Sequence, residues 1–73
     1  VQNHKNKMTI AEAEQLIRTA RELYPDLSLG NQVLAGIYLD KGKLNTEIGN
    51  YSGAIEDYLN AIQLYPAIES IVS

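Results

Sequence analysis

The sequence predicts an all-α protein made of short antiparallel helices. Two segments have apolar residues at helical spacing and end at Pro25 and Pro66, and the segment between them contains no proline. Proline ends a helix because it lacks a backbone N–H and disfavours the helical conformation of the residue before it. Short connections between helices favour antiparallel packing. We therefore expect about three helices, at roughly residues 9–24, 28–48 and 51–65, followed by a short C-terminal helical turn.

The length and composition allow one small domain. The chain has 73 residues and no cysteine, so its core depends on apolar burial without disulfides or cysteine-bound zinc. Residues 1–8 are polar and basic without a helical period, so we interpret them as a tail or linker before a helical domain at 9–73. The first seven residues contain neither an initiator Met nor an apolar signal segment, so we interpret the chain as part of a longer protein. The lack of cysteine fits a reducing compartment and favours a cytoplasmic location.

Charge and hydropathy argue against two classes of partner. Nine acidic residues outnumber six basic ones and give a net charge of −3, so the chain lacks the basic surface with which proteins bind nucleic acid. The uninterrupted apolar runs, such as 33–35, are far shorter than the roughly 20 residues that span a bilayer. We therefore expect neither nucleic acid nor a membrane as partner.

The first predicted helix begins with a capping box. Thr9 and Glu12 have the spacing at which each side chain accepts a hydrogen bond from the other residue's backbone N–H. Charged side chains, among them Glu14 and Arg18, are expected on the outer side of the helix. The predicted packing face consists of Ile10, Ala13, Leu16, Ile17, Ala20, Leu23 and Tyr24.

The second predicted helix has two candidate N-caps, Asp26 and Ser28, and several glycines. Glycine costs up to about 1 kcal/mol relative to alanine inside a helix, so we expect Gly36 or Gly42 to allow a close approach of a neighbouring helix. The alternative is a break near Gly42 that divides the segment into two helices. We favour one helix of about 20 residues, ended at Gly49, where glycine tolerates a left-handed conformation.

The third predicted helix has the clearest apolar stripe and follows Asn50, a candidate cap. The stripe consists of Tyr51, Ala54, Ile55, Tyr58, Ala61, Ile62 and Tyr65. Ala54 and Ala61 are small and one heptad apart, so a neighbouring helix can come close to them. Glu56 and Asp57 are predicted to lie on the solvated side, and as sequence neighbours they diverge by about 100° and do not converge on a substrate.

An internal repeat relates the first and third predicted helices. A shift of 41 positions brings residue 10 onto residue 51 and superposes 23–25 on 64–66, both Leu-Tyr-Pro. Residues 49–66 have the spacing Gly-Asn-Tyr-x2-Ala-x3-Tyr-x2-Ala-x4-Pro, which resembles the tetratricopeptide repeat (TPR). The resemblance implies a solenoid of antiparallel helical hairpins with a protein-binding role.

The middle segment matches the TPR pattern in two registers that differ by seven residues. In one register Tyr38 and Gly42 match, while Lys41 and Asn45 replace the expected Leu and Tyr. In the other register Leu34 and Tyr38 match. Because seven residues is close to two helical turns, an elongated first helix reconciles the registers. A HEAT-like or other helical-hairpin repeat is the alternative family, since its period is roughly 40–47 residues.

The sequence indicates no enzyme, metal site or cofactor. His4 lies in the polar tail without Cys, Asp or Glu nearby, so it has neither a metal set nor a catalytic partner. The glycines are scattered through helical sequence rather than gathered in a phosphate-binding loop. The five tyrosines fall at core or cap positions, so we expect them to pack inside the protein rather than to stack on nucleic acid.

We predict a protein–protein interaction or scaffolding module with another protein or peptide as partner. The TPR resemblance implies that the first helix of each hairpin lines the inner surface, so polar residues of 28–48 outside the packing stripe are the candidate protein-binding residues. They are Asn31, Gln32, Asp40, Lys43 and Thr46.

Two further functions remain alternatives. One and a half hairpins expose apolar faces at both ends, so the chain is a candidate homo-oligomerisation module. A regulatory domain fused to an enzyme is the more remote alternative. The positions at which some TPR domains bind a chaperone's C-terminal carboxylate hold Leu29, Gln32 and Gly36 in one register and Leu39, Asp40 and Lys43 in the other. Chaperone-tail binding is therefore not expected.

Overall fold

The computed structural model describes residues 8–68, which form three α-helices followed by a 3₁₀ turn. The helices are α1 (Ile10–Leu23), α2 (Leu27–Glu47) and α3 (Tyr51–Leu64), and the 3₁₀ turn is Pro66–Ile68. The described residues contain no β-strand, so the all-α prediction is confirmed, and every helix boundary lies within one residue of the predicted one. Apart from Met8, the predicted polar tail lies outside the described residues, as do residues 69–73.

The predicted capping box begins α1. The backbone N–H of Thr9 donates to Oε1 of Glu12 at 2.9 Å, and the N–H of Glu12 donates to Oγ1 of Thr9 at 3.1 Å. These bonds satisfy two donors that have no partner inside the helix. At the other end the N–H of Tyr24 donates to the carbonyl of Ala20 at 2.9 Å, and Pro25 follows.

A single helix, α2, spans 21 residues, so the alternative of a break near Gly42 is wrong. Oδ1 of Asp26 accepts from the N–H of Leu29 at 3.0 Å, which makes Asp26 the N-cap. Gly42 allows a close helix approach, because a Cβ there would lie 2.7 Å from the ring of Tyr58 on α3. After the helix ends, Gly49 has a φ of 82°, a conformation that glycine adopts without steric cost.

The ends of α1 and α3 coincide under the 41-residue shift found in the sequence. Both helices have 14 residues, and residues 10 and 23 of α1 correspond to 51 and 64 of α3. Their C-cap residues, Tyr24 and Tyr65, each donate a backbone N–H to an alanine carbonyl four residues earlier. The internal repeat is therefore a repeat of structure as well as of sequence.

The central helix is α2, and α1 and α3 both pack against it. Ala13 of α1 and Ala54 of α3 are buried, as are Ala20 and Ala61, so the prediction that Ala54 and Ala61 lie on a packed face is confirmed. Two clusters of buried apolar side chains result, one on the α1 side and one on the α3 side. The first contains Ile17, Ala20 and Leu34, and the second contains Ala35, Ala61 and Ile68.

The predicted packing face of α3 is wrong in part. Tyr51 and Ile55, which were expected to pack, are 64% and 59% exposed, whereas Asp57, which was expected in solvent, is 2% exposed. With 100° per residue, the buried side of α3 is rotated by roughly 70° from the centre of the predicted stripe. The physical reason is that Asp57 finds polar partners on α2, described below.

The predicted packing face of α1 is too wide. Leu16 and Leu23 are exposed, because α1 packs chiefly against α2 and that contact covers a narrow stripe of its surface. The expectation that all five tyrosines pack inside is likewise wrong for Tyr24 and Tyr51, which are exposed. The other three tyrosines are half-buried.

Candidate protein-binding surface

A buried polar cluster joins α2 to α3 beneath the surface of the molecule. Nζ of Lys41 donates to Oδ1 of Asp57 at 3.0 Å, and Nδ2 of Asn45 donates to Oδ2 of Asp57 at 2.6 Å. Nδ2 of Asn50 donates to Oδ1 of Asn45 at 3.1 Å, which links the cluster to the N-cap of α3. Both oxygens of the Asp57 carboxylate are thus hydrogen-bonded, as a buried charge requires.

The cluster extends weakly to α1, because Nζ of Lys41 lies 3.9 Å from Oε2 of Glu14. This cluster was not predicted, although the sequence contains a signal for it. Lys41 and Asn45 are the two positions where α2 departs from the apolar residues of the TPR pattern, and they lie four residues apart on one face. Two polar residues on a packed helix face indicate a polar partner on the facing helix.

The rotation of α3 leaves an apolar stripe exposed, which we name the α3 apolar surface and define as Tyr51, Ile55 and Leu59. Ile55 and Leu59 are 59% and 54% exposed, and Tyr51 is more exposed still. Residues four apart on a helix are neighbours on its surface, so the three side chains form one continuous stripe. Glu56 and Gln63 are exposed polar residues of the same helix. An apolar centre with a polar border is the usual composition of a protein-binding surface.

The five residues predicted to bind a partner are not brought to one face. Gln32 and Lys43 are exposed and lie within about 20° of each other around α2, but they are three turns apart. Asp40 is also exposed, and around the axis of α2 it lies about 60° from Lys43 and about 80° from Gln32. The whole set spreads over roughly 180° of the helix circumference, so the five residues do not share one narrow face of α2.

For three of these five residues, the structure shows the burial or the hydrogen bond of the side chain. Asn31 is half-buried near the start of α2. Nε2 of Gln32 donates to the hydroxyl of Tyr65 at 3.5 Å, which ties it to the end of α3. The hydroxyl of Thr46 donates to the carbonyl of Gly42 at 2.9 Å, a bond within its own helix. Gln32 and Thr46 therefore already have partners inside the protein.

The fold and this surface define a small three-helix protein with an apolar stripe on its third helix. Comparison of the chain with protein-family models, curated proteins and solved structures gave no significant match. No helix within residues 8–68 combines the length and apolar character needed to cross a bilayer. In the same part of the chain, no three His, Cys, Asp or Glu side chains are placed to share a metal ion.

Proposed function

We propose that this protein is a TPR-like protein–protein interaction module that binds a partner through the α3 apolar surface. Support comes from the exposure of Tyr51, Ile55 and Leu59 on one continuous stripe. Monomeric proteins rarely leave contiguous apolar patches uncovered, and such patches mark interaction surfaces. The TPR-like assignment is supported by the structural repeat of α1 and α3 around α2.

The observation that carries the proposal is the difference between the two copies of the repeated helix. The positions of α1 that correspond to Ile55 and Leu59 are Glu14 and Arg18, which are also exposed. The shared packing unit therefore accepts charged residues at these positions. Apolar residues there are not required by the fold, so their presence on α3 needs a reason outside the fold. Contact with another protein supplies that reason.

The chemistry of the surface favours an apolar helical segment as partner. Side chains four residues apart match the spacing with which an amphipathic helix presents its own apolar face. Aromatic residues are enriched at the centre of interfaces because they combine a large apolar area with a polar end, and Tyr51 is such a residue. The partner is thus expected to contribute apolar residues at positions i, i+3 or i+4, and i+7.

The test is a selection of displayed random peptides on the immobilised 73-residue chain, followed by affinity measurements on the enriched peptides. We expect the variant Ile55→Lys/Leu59→Lys to bind at least about tenfold more weakly, because two charges would have to be desolvated in the interface. Its thermal unfolding should be close to that of the unchanged chain, since both residues are exposed.

Leu23→Lys is the matched control, because Leu23 is a similarly exposed leucine on a different helix, α1. We expect this variant to bind the enriched peptides normally. The proposal is overturned when the double variant binds as tightly as the unchanged chain, or when the control loses as much affinity as the double variant.

Self-association through the same surface is a second candidate function. Glu56 and Asp57 are the two ionisable acidic residues of α3, and Asp57 is buried with Lys41, so two copies of the surface would bring little like charge together. Sedimentation velocity at several concentrations distinguishes the two functions. A dimer that Ile55→Lys converts to monomer supports self-association, and a monomer at all concentrations excludes it.

A further inference from the structure

We propose that a second surface, on α1, binds an amphipathic helix of a partner protein, and that Leu16 selects a helix with apolar residues at the contact. We name it the α1 leucine surface and define it as Leu16 and Leu23, which are 45% and 65% exposed. Seven residues is close to two helical turns, so the two side chains lie on the same side of α1. The α3 apolar surface lies on a different helix, so this proposal and the proposed function can fail separately.

The internal repeat shows what packs at the corresponding positions of α3. Under the 41-residue shift Leu16 corresponds to Asp57 and Leu23 to Leu64. Asp57 is buried with its partners on α2, and half-buried Leu64 packs against both buried clusters, each of which includes a residue of α2. On α3 both positions therefore face a helix, whereas on α1 both remain exposed within residues 8–68.

The α1 leucine surface is uncovered because α1 and α3 turn different sides toward α2. The buried stripe of α1 combines its paired alanines with Ile17, whereas that of α3 combines them with Asp57. With 100° per residue, the centres of the two stripes differ by roughly 30–40°. Leu16 and Leu23 lie roughly 70–90° from the centre of the α1 stripe, so they border the α1–α2 interface. A helix placed beside α2 would extend that interface over both leucines.

The repeat also defines the chemistry of the missing helix. On α3 the carboxylate of Asp57 accepts hydrogen bonds from Lys41 and Asn45 of α2. Leu16 has no acceptor, so a helix packed on it in the same way would leave a lysine and an asparagine without partners. The partner helix is therefore expected to share the apolar spacing of α2 but to have apolar residues at the positions of Lys41 and Asn45. It is not α2 of a second copy, because α1 and α3 already pack on α2.

The surroundings of Leu16 fit an apolar helix with a basic edge. A cleft of about 370 Å³ beside Leu16 includes Met8 and Glu12 in its lining. Leu16 and Met8 offer apolar contact, and Glu12 places a negative charge at the border of that contact. The basic residues of α1, Arg18 and Arg21, lie roughly 140–160° round the helix from the two leucines. A lysine or arginine at the edge of the partner helix is thus complementary to this side of α1.

The test uses a fluorescent peptide with the sequence of α2, Leu27–Glu47, in which Lys41→Leu and Asn45→Leu are introduced. Fluorescence anisotropy measures its binding to the 73-residue chain, and the unmodified α2 peptide is the comparison. We expect the modified peptide to bind at least about tenfold more tightly, because it leaves no polar side chain unsatisfied against Leu16. Equal affinities of the two peptides, or no binding of the modified peptide, would overturn the proposal.

Leu16→Asp should reverse the preference between the two peptides. An aspartate at this position supplies the acceptor that Asp57 supplies on α3. We therefore expect the unmodified peptide to bind at least about tenfold more tightly to the variant than to the unchanged chain, and the modified peptide to bind more weakly. Leu16 is exposed, so the substitution should leave thermal unfolding nearly unchanged.

Leu59→Asp is the matched control, because it makes the same substitution at an exposed leucine of the α3 apolar surface. We expect this variant to bind both peptides with unchanged affinity. The proposal is overturned when Leu59→Asp weakens binding of the modified peptide as much as Leu16→Asp, or when Leu16→Asp leaves the preference between the peptides unchanged.

Discussion

At the scale of single residues, two glycines of α2 differ in what surrounds them. A Cβ built at Gly42 would lie 2.7 Å from the Tyr58 ring, closer than carbon atoms pack. At Gly36 no neighbouring atom lies within 4 Å of the same position. The absence of a side chain is therefore required by packing at Gly42, whereas at Gly36 it only lowers helix propensity.

We expect Gly36→Ala to raise the free energy of unfolding by about 0.5–1 kcal/mol, because alanine favours the helix and restricts the unfolded chain. Gly42→Ala gains the same propensity but displaces the Tyr58 ring, and we expect it to lower the free energy of unfolding by about 1–2 kcal/mol. Urea unfolding followed by circular dichroism measures both. Equal effects of the two substitutions would show that the approach of Tyr58 does not limit packing.

At the scale of helices, the orientation of α3 on α2 depends on a polar contact inside an apolar interface. Turning α3 to bury Ile55 would move Asp57 away from Lys41 and Asn45. Burying an isoleucine side chain contributes about 1.5–3 kcal/mol, whereas Lys41 and Asn45 would each lose their hydrogen-bond acceptor at a cost of about 1–3 kcal/mol per buried group. The two lost hydrogen bonds offset the gain from burying the isoleucine, so the polar contacts favour the observed orientation, in which Ile55 stays exposed.

This comparison predicts the behaviour of variants in the polar cluster. Asp57→Leu should lower the free energy of unfolding by about 3 kcal/mol, because it leaves Lys41 and Asn45 without their acceptor. The triple variant Lys41→Met/Asn45→Leu/Asp57→Leu should recover most of that loss, since apolar residues replace a buried polar cluster at little cost. Guanidinium unfolding of the single and triple variants measures the difference.

Glu14→Gln is the control for the cluster. Glu14 is exposed and 3.9 Å from Lys41, so its removal should change the free energy of unfolding by less than about 1 kcal/mol. A triple variant as unstable as Asp57→Leu alone would contradict the proposed role of the buried charge.

At the scale of the whole molecule, the 3₁₀ turn after α3 completes the core. The turn directs Ile68 back onto α2 and α3, where it is buried with Ala35 and Ala61. The N–H of Ile68 donates to the carbonyl of Tyr65 at 2.9 Å, which holds the turn against the end of α3. The small side chains of Ala35 and Ala61 thus leave space in the core that the larger side chain of Ile68 fills.

Ile68→Ala should lower the free energy of unfolding by about 2–4 kcal/mol, because it removes a buried side chain and leaves a cavity. The measurement is a urea titration with Leu29→Ala as control, since Leu29 is half exposed and its truncation should cost less than about 0.5 kcal/mol. Equal losses for the two variants would mean that the turn does not belong to the core.

Helix boundaries could be predicted because each depends on residues close together in the sequence. Thr9 caps α1 through Glu12, and Asn50 caps α3 through Gly53. The face that α3 buries could not be predicted in this way, because the partners of Asp57 lie on another helix. For the same reason the α3 apolar surface was not expected, since isoleucine at helical spacing is typical of a packed core.

Because α1 and α3 are so similar, each could pack on α2 in the place of the other, and the polar cluster favours the observed arrangement. Both helices have the same length and alanines at corresponding positions, so each resembles the other as a partner for α2. The residue of α1 that corresponds to Asp57 is Leu16. If the two helices exchanged places, Leu16 would lie against Lys41 and Asn45. A leucine side chain cannot accept a hydrogen bond from either of them. Asp57 is therefore one of the residues by which the folding chain distinguishes α3 from α1, together with Tyr58 at Gly42 and Ile68 of the 3₁₀ turn.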